Sequence, residues 1–164
     1  MLKYKHRTLV ILAGMVWLLV GIFLLTLGIR LILYTISHPP LIFYPRRFSL
    51  LTSLSGYFSS QYNGIVVVLS CCLFIGYLKG RFVLSKSVQR QVDRIFSLPN
   101  PAHLKYLYSK GYYILMGSMV CLGFLIRFFP IAPDTRGAVD VIIGSALING
   151  SILYFRHSLP FTER

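Results

Sequence analysis

TLVILAGMVWLLVGIFLLTLGI, residues 8–29, is a 22-residue run without a charged side chain. About 20 apolar residues in a helix cross the ~30 Å hydrocarbon core of a bilayer. The run therefore predicts a membrane-spanning helix, from about Thr8 to Tyr34. Lys3, Lys5 and Arg7 precede it, as in a signal peptide. The apolar stretch is too long for a signal-peptide core, and no clear small-x-small cleavage site follows. A retained signal anchor is expected.

Three further charge-poor stretches follow, from about Gly64 to Leu84, Gly111 to Phe129 and Gly137 to Phe155. The chain is 55% hydrophobic, with a mean hydropathy of +0.69, above the range of soluble domains. The fold expected is all-α: one integral membrane domain over residues 1–164, a four-helix transmembrane bundle of two helical hairpins with a cytoplasmic amphipathic helix.

Charge sets the orientation. On an inside-out-inside-out-inside path, 12 of the 17 Lys and Arg residues fall inside. Arg30, Arg46, Arg47, Arg127 and Arg136 fall outside. The positive-inside bias then puts both termini in the cytoplasm. The net charge of +13 sits at helix ends, where it attracts anionic lipid headgroups. A nucleic-acid face would gather it on one folded surface with aromatics, so no nucleic-acid partner is expected.

Small residues mark the packing faces. Gly14, Gly21 and Gly28 recur every seven residues and share one face of the first span. Cys72, Gly76 and Gly80 form a small-xxx-small ladder in the second. Such ladders let helix backbones approach closely in lipid. Gly144 extends the pattern in the fourth span, and Gly117 with Cys121 makes a small pair in the third. Lys79 and Arg81 mark the inner interface.

Two connections carry their own structure. Residues 37–63 form the outer loop, broken by His38-Pro39-Pro40 and Pro45, with Phe48 to Tyr62 as an interfacial helix anchored by Tyr57 and Tyr62. It is also the natural place for a lid or a partner surface. In the inner loop, Val88, Val92, Ile95 and Phe96 share one helical face, with Lys86, Arg90 and Arg94 around the rest. This is a basic amphipathic helix, lying on the inner leaflet or continuing the second span. A short helix at His103 to Ser109 follows. The two halves of the chain also show a faint parallel repeat of hairpins.

The strongest candidate for chemistry is Asp140, the one carboxylate inside an expected span. Ionisable groups there are costly and are functional candidates. Arg136 lies four residues earlier on the same face, and Arg127 ends its helix on the same membrane side. Asn149, beside Ser145, extends a polar trail inward. The competing reading is a carboxylate that complements the N-terminal dipole of the fourth span, which Asp134 or Thr135 is expected to cap. Small or polar residues on both faces place this span centrally. The cysteines Cys71, Cys72 and Cys121 form no CxxC pair, and the four histidines are scattered. No catalytic, cofactor or metal site is expected.

Lys79 to Ser87, Asp134 to Gly137, and Asp140 with Ser145 to Gly150 resemble a small uncharacterised family of bacterial multi-pass membrane proteins. The resemblance covers the second half of the chain. It implies a bacterial inner membrane and brings no activity. The function expected is a non-enzymatic accessory or scaffold subunit working through helix contacts, as a homo-oligomer or with another membrane protein. The alternative is a small oligomeric transporter or channel using Asp140 with Arg136 or Arg127.

Overall fold

The computed structural model describes residues 3–4, 6–38, 42, 47–58, 60–97, 102–103, 121, 125 and 128–158. These residues are overwhelmingly helical. Helix α1 is His6–Ser37, α2 Leu50–Leu54, α3 Gln61–Lys79, α4 Ser85–Phe96 and α5 Pro133–Ser158. A single 3-10 turn, Ser55–Tyr57, follows α2, and a π segment, Gly80–Leu84, joins α3 to α4. The extended pairings among the described residues are a two-residue antiparallel ladder, Lys3 with His103 and Tyr4 with Ala102, and an isolated parallel bridge of Phe48 with Ile131. Among the described residues three helices are long and apolar enough to cross a membrane: α1, α5, and the rod from Tyr62 to Phe96. The expected third span, 111–129, lies mainly outside the described residues, as do His103–Ser109 beyond His103.

Helix α1 exceeds its expected bounds at both ends and stops before Pro39-Pro40, where the α conformation is disfavoured. Helix α5 starts four residues earlier than expected. Pro133 is its first residue, a position that needs no N–H and suits the fixed φ of proline. Asp134 and Thr135 thus lie inside the first turn rather than at the cap.

The seam between α1 and α5 is built of glycines on both sides, and the two helices run antiparallel. A Cβ on Gly28 would lie 2.6 Å from the carbonyl oxygen of Gly137, and one on Gly144 would lie 2.8 Å from that of Gly21. Gly14 meets Tyr154 and Phe155. Backbone therefore touches backbone at Gly21 and Gly28, about two helical turns apart. The Cys72-Gly76-Gly80 ladder does the same between α3 and α5, which run parallel. Gly76 sits against Ser145 and Ile142, and Gly80 against Asn149 and Ala146. Helix α5 is the centre of the bundle, packed on α1, α3, α4 and the π segment.

The π segment has a geometric reason. Val68, Cys72, Gly76, Gly80, Leu84, Val88 and Val92 are all buried, a repeat of four. At about 100° per residue each step overshoots a full turn by about 40°. Uncorrected, the stripe would wander round the rod. The wider i→i+5 turn takes up part of this drift and keeps α4 on the core.

Consequently α4 does not lie on the inner leaflet. It continues the second span, and Val88, Val92 and Ile95 are buried against Leu9, Val10, Ala13 and Tyr154. A second cluster, nearer the end where α5 begins, joins Ile32, Leu51, Ile65, Val68, Ala138 and Val141. The expected interfacial helix shrinks to α2 and its 3-10 turn, because Gln61 onward belongs to α3. Tyr57 and Tyr62 are both exposed.

Two substitutions check the seam. Gly28→Ala must displace the backbone of Gly137 and Val141, and we expect a loss of about 1–3 kcal/mol. Gly56 has nothing within 4 Å of its would-be Cβ, so Gly56→Ala should stay within about 0.5 kcal/mol. Reversible unfolding in mixed micelles measures both.

Candidate functional site

The end of the bundle where α5 begins holds a clamp between two segments more than 80 residues apart. The backbone of Phe48 is gripped on both sides: its N–H donates to the Pro130 carbonyl at 2.9 Å, and its carbonyl accepts the Ala132 N–H at 2.9 Å. Helix α2 follows at once, and the first N–H groups of a helix have no partner within it. Here Leu50 N–H donates to Thr135 Oγ1 at 3.0 Å, and Leu51 N–H to Asp134 Oδ2 at 3.0 Å. Thr52 N–H donates to Ser49 Oγ at 3.1 Å, an ordinary N-cap bond. The Ser49 hydroxyl in turn donates to Asp134 Oδ2 at 2.9 Å.

Asp134 is thus the hub, only 1% exposed. Its carboxylate sits at the N-termini of both α5 and α2, where the helix dipoles favour negative charge. Its other oxygen, Oδ1, is buried and accepts no hydrogen bond. The clamp holds Leu51 down on the second core cluster. The sequence predicts that Asp134 or Thr135 caps its own helix; both instead accept N–H groups at the start of α2. The only local signal was Ser49 ahead of Leu-Leu-Thr, an N-cap pattern without its distant partner.

The polar residues of α5 are spent differently. Ser145 donates to Ile142 O at 3.2 Å, Asn149 Nδ2 to Ser145 O at 2.9 Å, and Ser151 to Ile148 O at 2.7 Å. Each bonds back onto its own helix, which satisfies it locally. Ser145 and Asn149 also face the glycines of α3 and the π segment. Asp140 and Arg136 are half-buried one turn apart on α5, and Arg30 is exposed toward the C-terminal end of α1. Arg127 lies outside the described residues. Asp140 and Asn149 are roughly 13 Å apart along the axis, so the structure does not bring them together. The packing residues Gly14, Gly21, Gly28, Cys72, Gly76, Gly80 and Gly144 are all buried. Among the described residues no group of three or more His, Cys, Asp or Glu side chains is gathered.

No family model, curated protein or solved structure matches the chain.

Asp134→Ala leaves the Ser49 hydroxyl and Leu51 N–H without their acceptor, and each buried orphan costs about 1–3 kcal/mol. We expect faster amide exchange at Leu50 to Thr52, with the α1–α5 seam still protected. Asp134→Asn keeps one carbonyl oxygen and should lose less protection. Hydrogen exchange resolved to these residues reads both.

Proposed function

We propose that the chain is a four-span integral protein of a bacterial inner membrane, with both termini cytoplasmic, acting as a non-enzymatic accessory or scaffold subunit. Two contacts of the described helices support a fourth crossing. Phe96, at the end of α4, packs edge-on against His6 with ring centres 5.8 Å apart, at the end where α1 begins. Pro130, just before α5, is bonded to Phe48 at the opposite end. Phe96 and Pro130 thus lie at opposite ends of the bundle, and 22 residues of helix would cover the about 33 Å between such ends. The likeness of residues 79–87 and 134–150 to bacterial multi-pass proteins supports the compartment. Reporter fusions after Ser97 and Tyr57 check the topology: Ser97 is expected in the cytoplasm and Tyr57 outside, and the reverse would overturn it.

The scaffold reading rests on one observation. The contacts of the long helices are glycine to backbone, which makes a rigid body, while long apolar faces on α1 and α3 are left outward, including Leu19, Phe23, Val66 and Phe74. Ser145, Asn149 and Ser151 of α5 bond to their own helix backbone. Rigid rods with outward apolar faces suit attachment to another copy or another membrane protein. Purification in mild detergent with mass measurement tests this. A stable complex or homo-oligomer is expected, and Asp140→Asn should leave it intact. A lone monomer whose Asp140→Asn form loses a pH-driven flux in liposomes would replace the scaffold with a transporter.

A further inference from the structure

The helix contacts fix relative depth. The uncharged run of α1, residues 8–29, is centred on Leu18 and Leu19, and that of α5, residues 141–155, on Ile148. These centres lie side by side, since Gly21 packs on Ile148 and Trp17 on Gly150. Two helices thus agree on one mid-plane. Gly80 packs on Asn149 and Ala146, which puts it at the same depth. Its neighbours Lys79 and Arg81 are both exposed. They do not mark the inner interface of the bundle, as the sequence suggested; they stand level with the middle of α1. Lys86 and Arg90, also exposed, follow about 9 and 15 Å further toward the inner end. Half a hydrocarbon core is ~15 Å. Four exposed cations therefore run from mid-plane to inner surface on the rod from α3 to α4, with Lys79 and Arg81 on opposite flanks of buried Gly80. At the same depth α1 presents Leu19, which is 64% exposed.

Among the described residues no carboxylate stands beside the deep end of this ladder. The only acids are Asp93, Asp134, Asp140 and Glu163. Asp93 stands one turn beyond Arg90, and Asp134 and Asp140 belong to the outer end of α5. Glu163 lies outside the described residues. Residues 98–132 contain no carboxylate, so they bring no counter-charge either.

We propose that this face is a seat for the anionic headgroups of inner-leaflet phospholipids, drawn down beside α3 and α4 to near mid-depth, so that the bilayer is thin on this side alone. The spacing of the cations gives headgroups a continuous descent from the surface. Arg81 donates to the Tyr77 hydroxyl at 2.8 Å, a phenol and guanidinium pairing suited to the headgroup zone rather than to lipid tails. Long basic side chains reach toward phosphate while their stems stay on apolar surface, here beside exposed Phe82 and Val83. The inference rests on the membrane-spanning reading.

Nitroxide labels at Val83→Cys and Leu19→Cys, with the native cysteines changed to Ala, test it in vesicles containing phosphatidylglycerol. The Val83 label is expected to collide with a water-soluble nickel chelate, and the Leu19 label with oxygen only. Both labels in hydrocarbon would overturn the seat and leave the spanning reading intact. Both in water would overturn the spanning reading itself. Shielding of Val83 from both reagents would put protein there and exclude lipid. A second measurement needs no cysteine changes: phosphatidylglycerol retained by the purified protein in native mass spectrometry. Each of Lys79→Gln, Arg81→Gln and Lys86→Gln should weaken retention about five-fold, and unchanged retention in all three would overturn the proposal.

Discussion

The contact of glycine with glycine between α1 and α5 is what the remaining structure is arranged around. In a bilayer, lipid tails are as apolar as leucine, so burying leucine against leucine gives little drive for helices to associate. Association must come from close approach, where dispersion acts over many atoms at once. Gly21 against Gly144 and Gly28 against Gly137 supply that approach on both surfaces. A side chain on either member of a pair would keep the backbones apart. Once α1 and α5 are locked, α5 has one face left for α3, and small residues line that contact too, with Gly76 and Gly80 opposite Ser145 and Asn149.

The locked pair then dictates the path of the rod from α3 to α4. To stay on α5 beyond Gly80 it must also meet the inner third of α1, where Leu9, Val10 and Ala13 wait. An α-helix with a four-residue stripe turns away from such a partner, and the π segment turns it back. The amphipathic helix is therefore core, not membrane-surface anchor. Its apolar face is already used, and what it shows to the surroundings is Lys86, Gln89, Arg90 and Asp93. The same residues that a sequence would place on a leaflet become the flank of a bundle.

Much of this is legible in the residues. The heptad of Gly14, Gly21 and Gly28, the ladder of Cys72, Gly76 and Gly80, and the polar and small residues on both faces of the last helix identify the seams and the central element. Periodicity carries that information because a helix face is a local property. Two things were not legible. Asp134 looks like a local cap because its true partners, Ser49 and Leu51, are over 80 residues away. The depth of Lys79 looks interfacial because a charge normally ends a span. Both depend on how helices slide against one another, and a sequence read one helix at a time contains no such offset.

That offset changes what the basic residues mean. The positive-inside bias counts cations on each side of the membrane and is indifferent to how far each lies from the surface. Counted this way, Lys79, Arg81, Lys86 and Arg90 simply hold α3 and α4 to the cytoplasm. Measured by the contacts of Gly80 with Asn149 and of Gly21 with Ile148, the first two stand at mid-plane, where insertion scales put a cation at about +2.5–3.5 kcal/mol. A bundle whose other two long helices agree on the mid-plane cannot relieve this by moving as a whole. Sliding it inward to rescue α3 would carry the apolar inner halves of α1 and α5 into water. The conflict can be relieved only around the flank of α3 and α4, and the surroundings must differ there from those around α1. The glycine seam is what makes the difference permanent, since it forbids the helices from slipping into a common register.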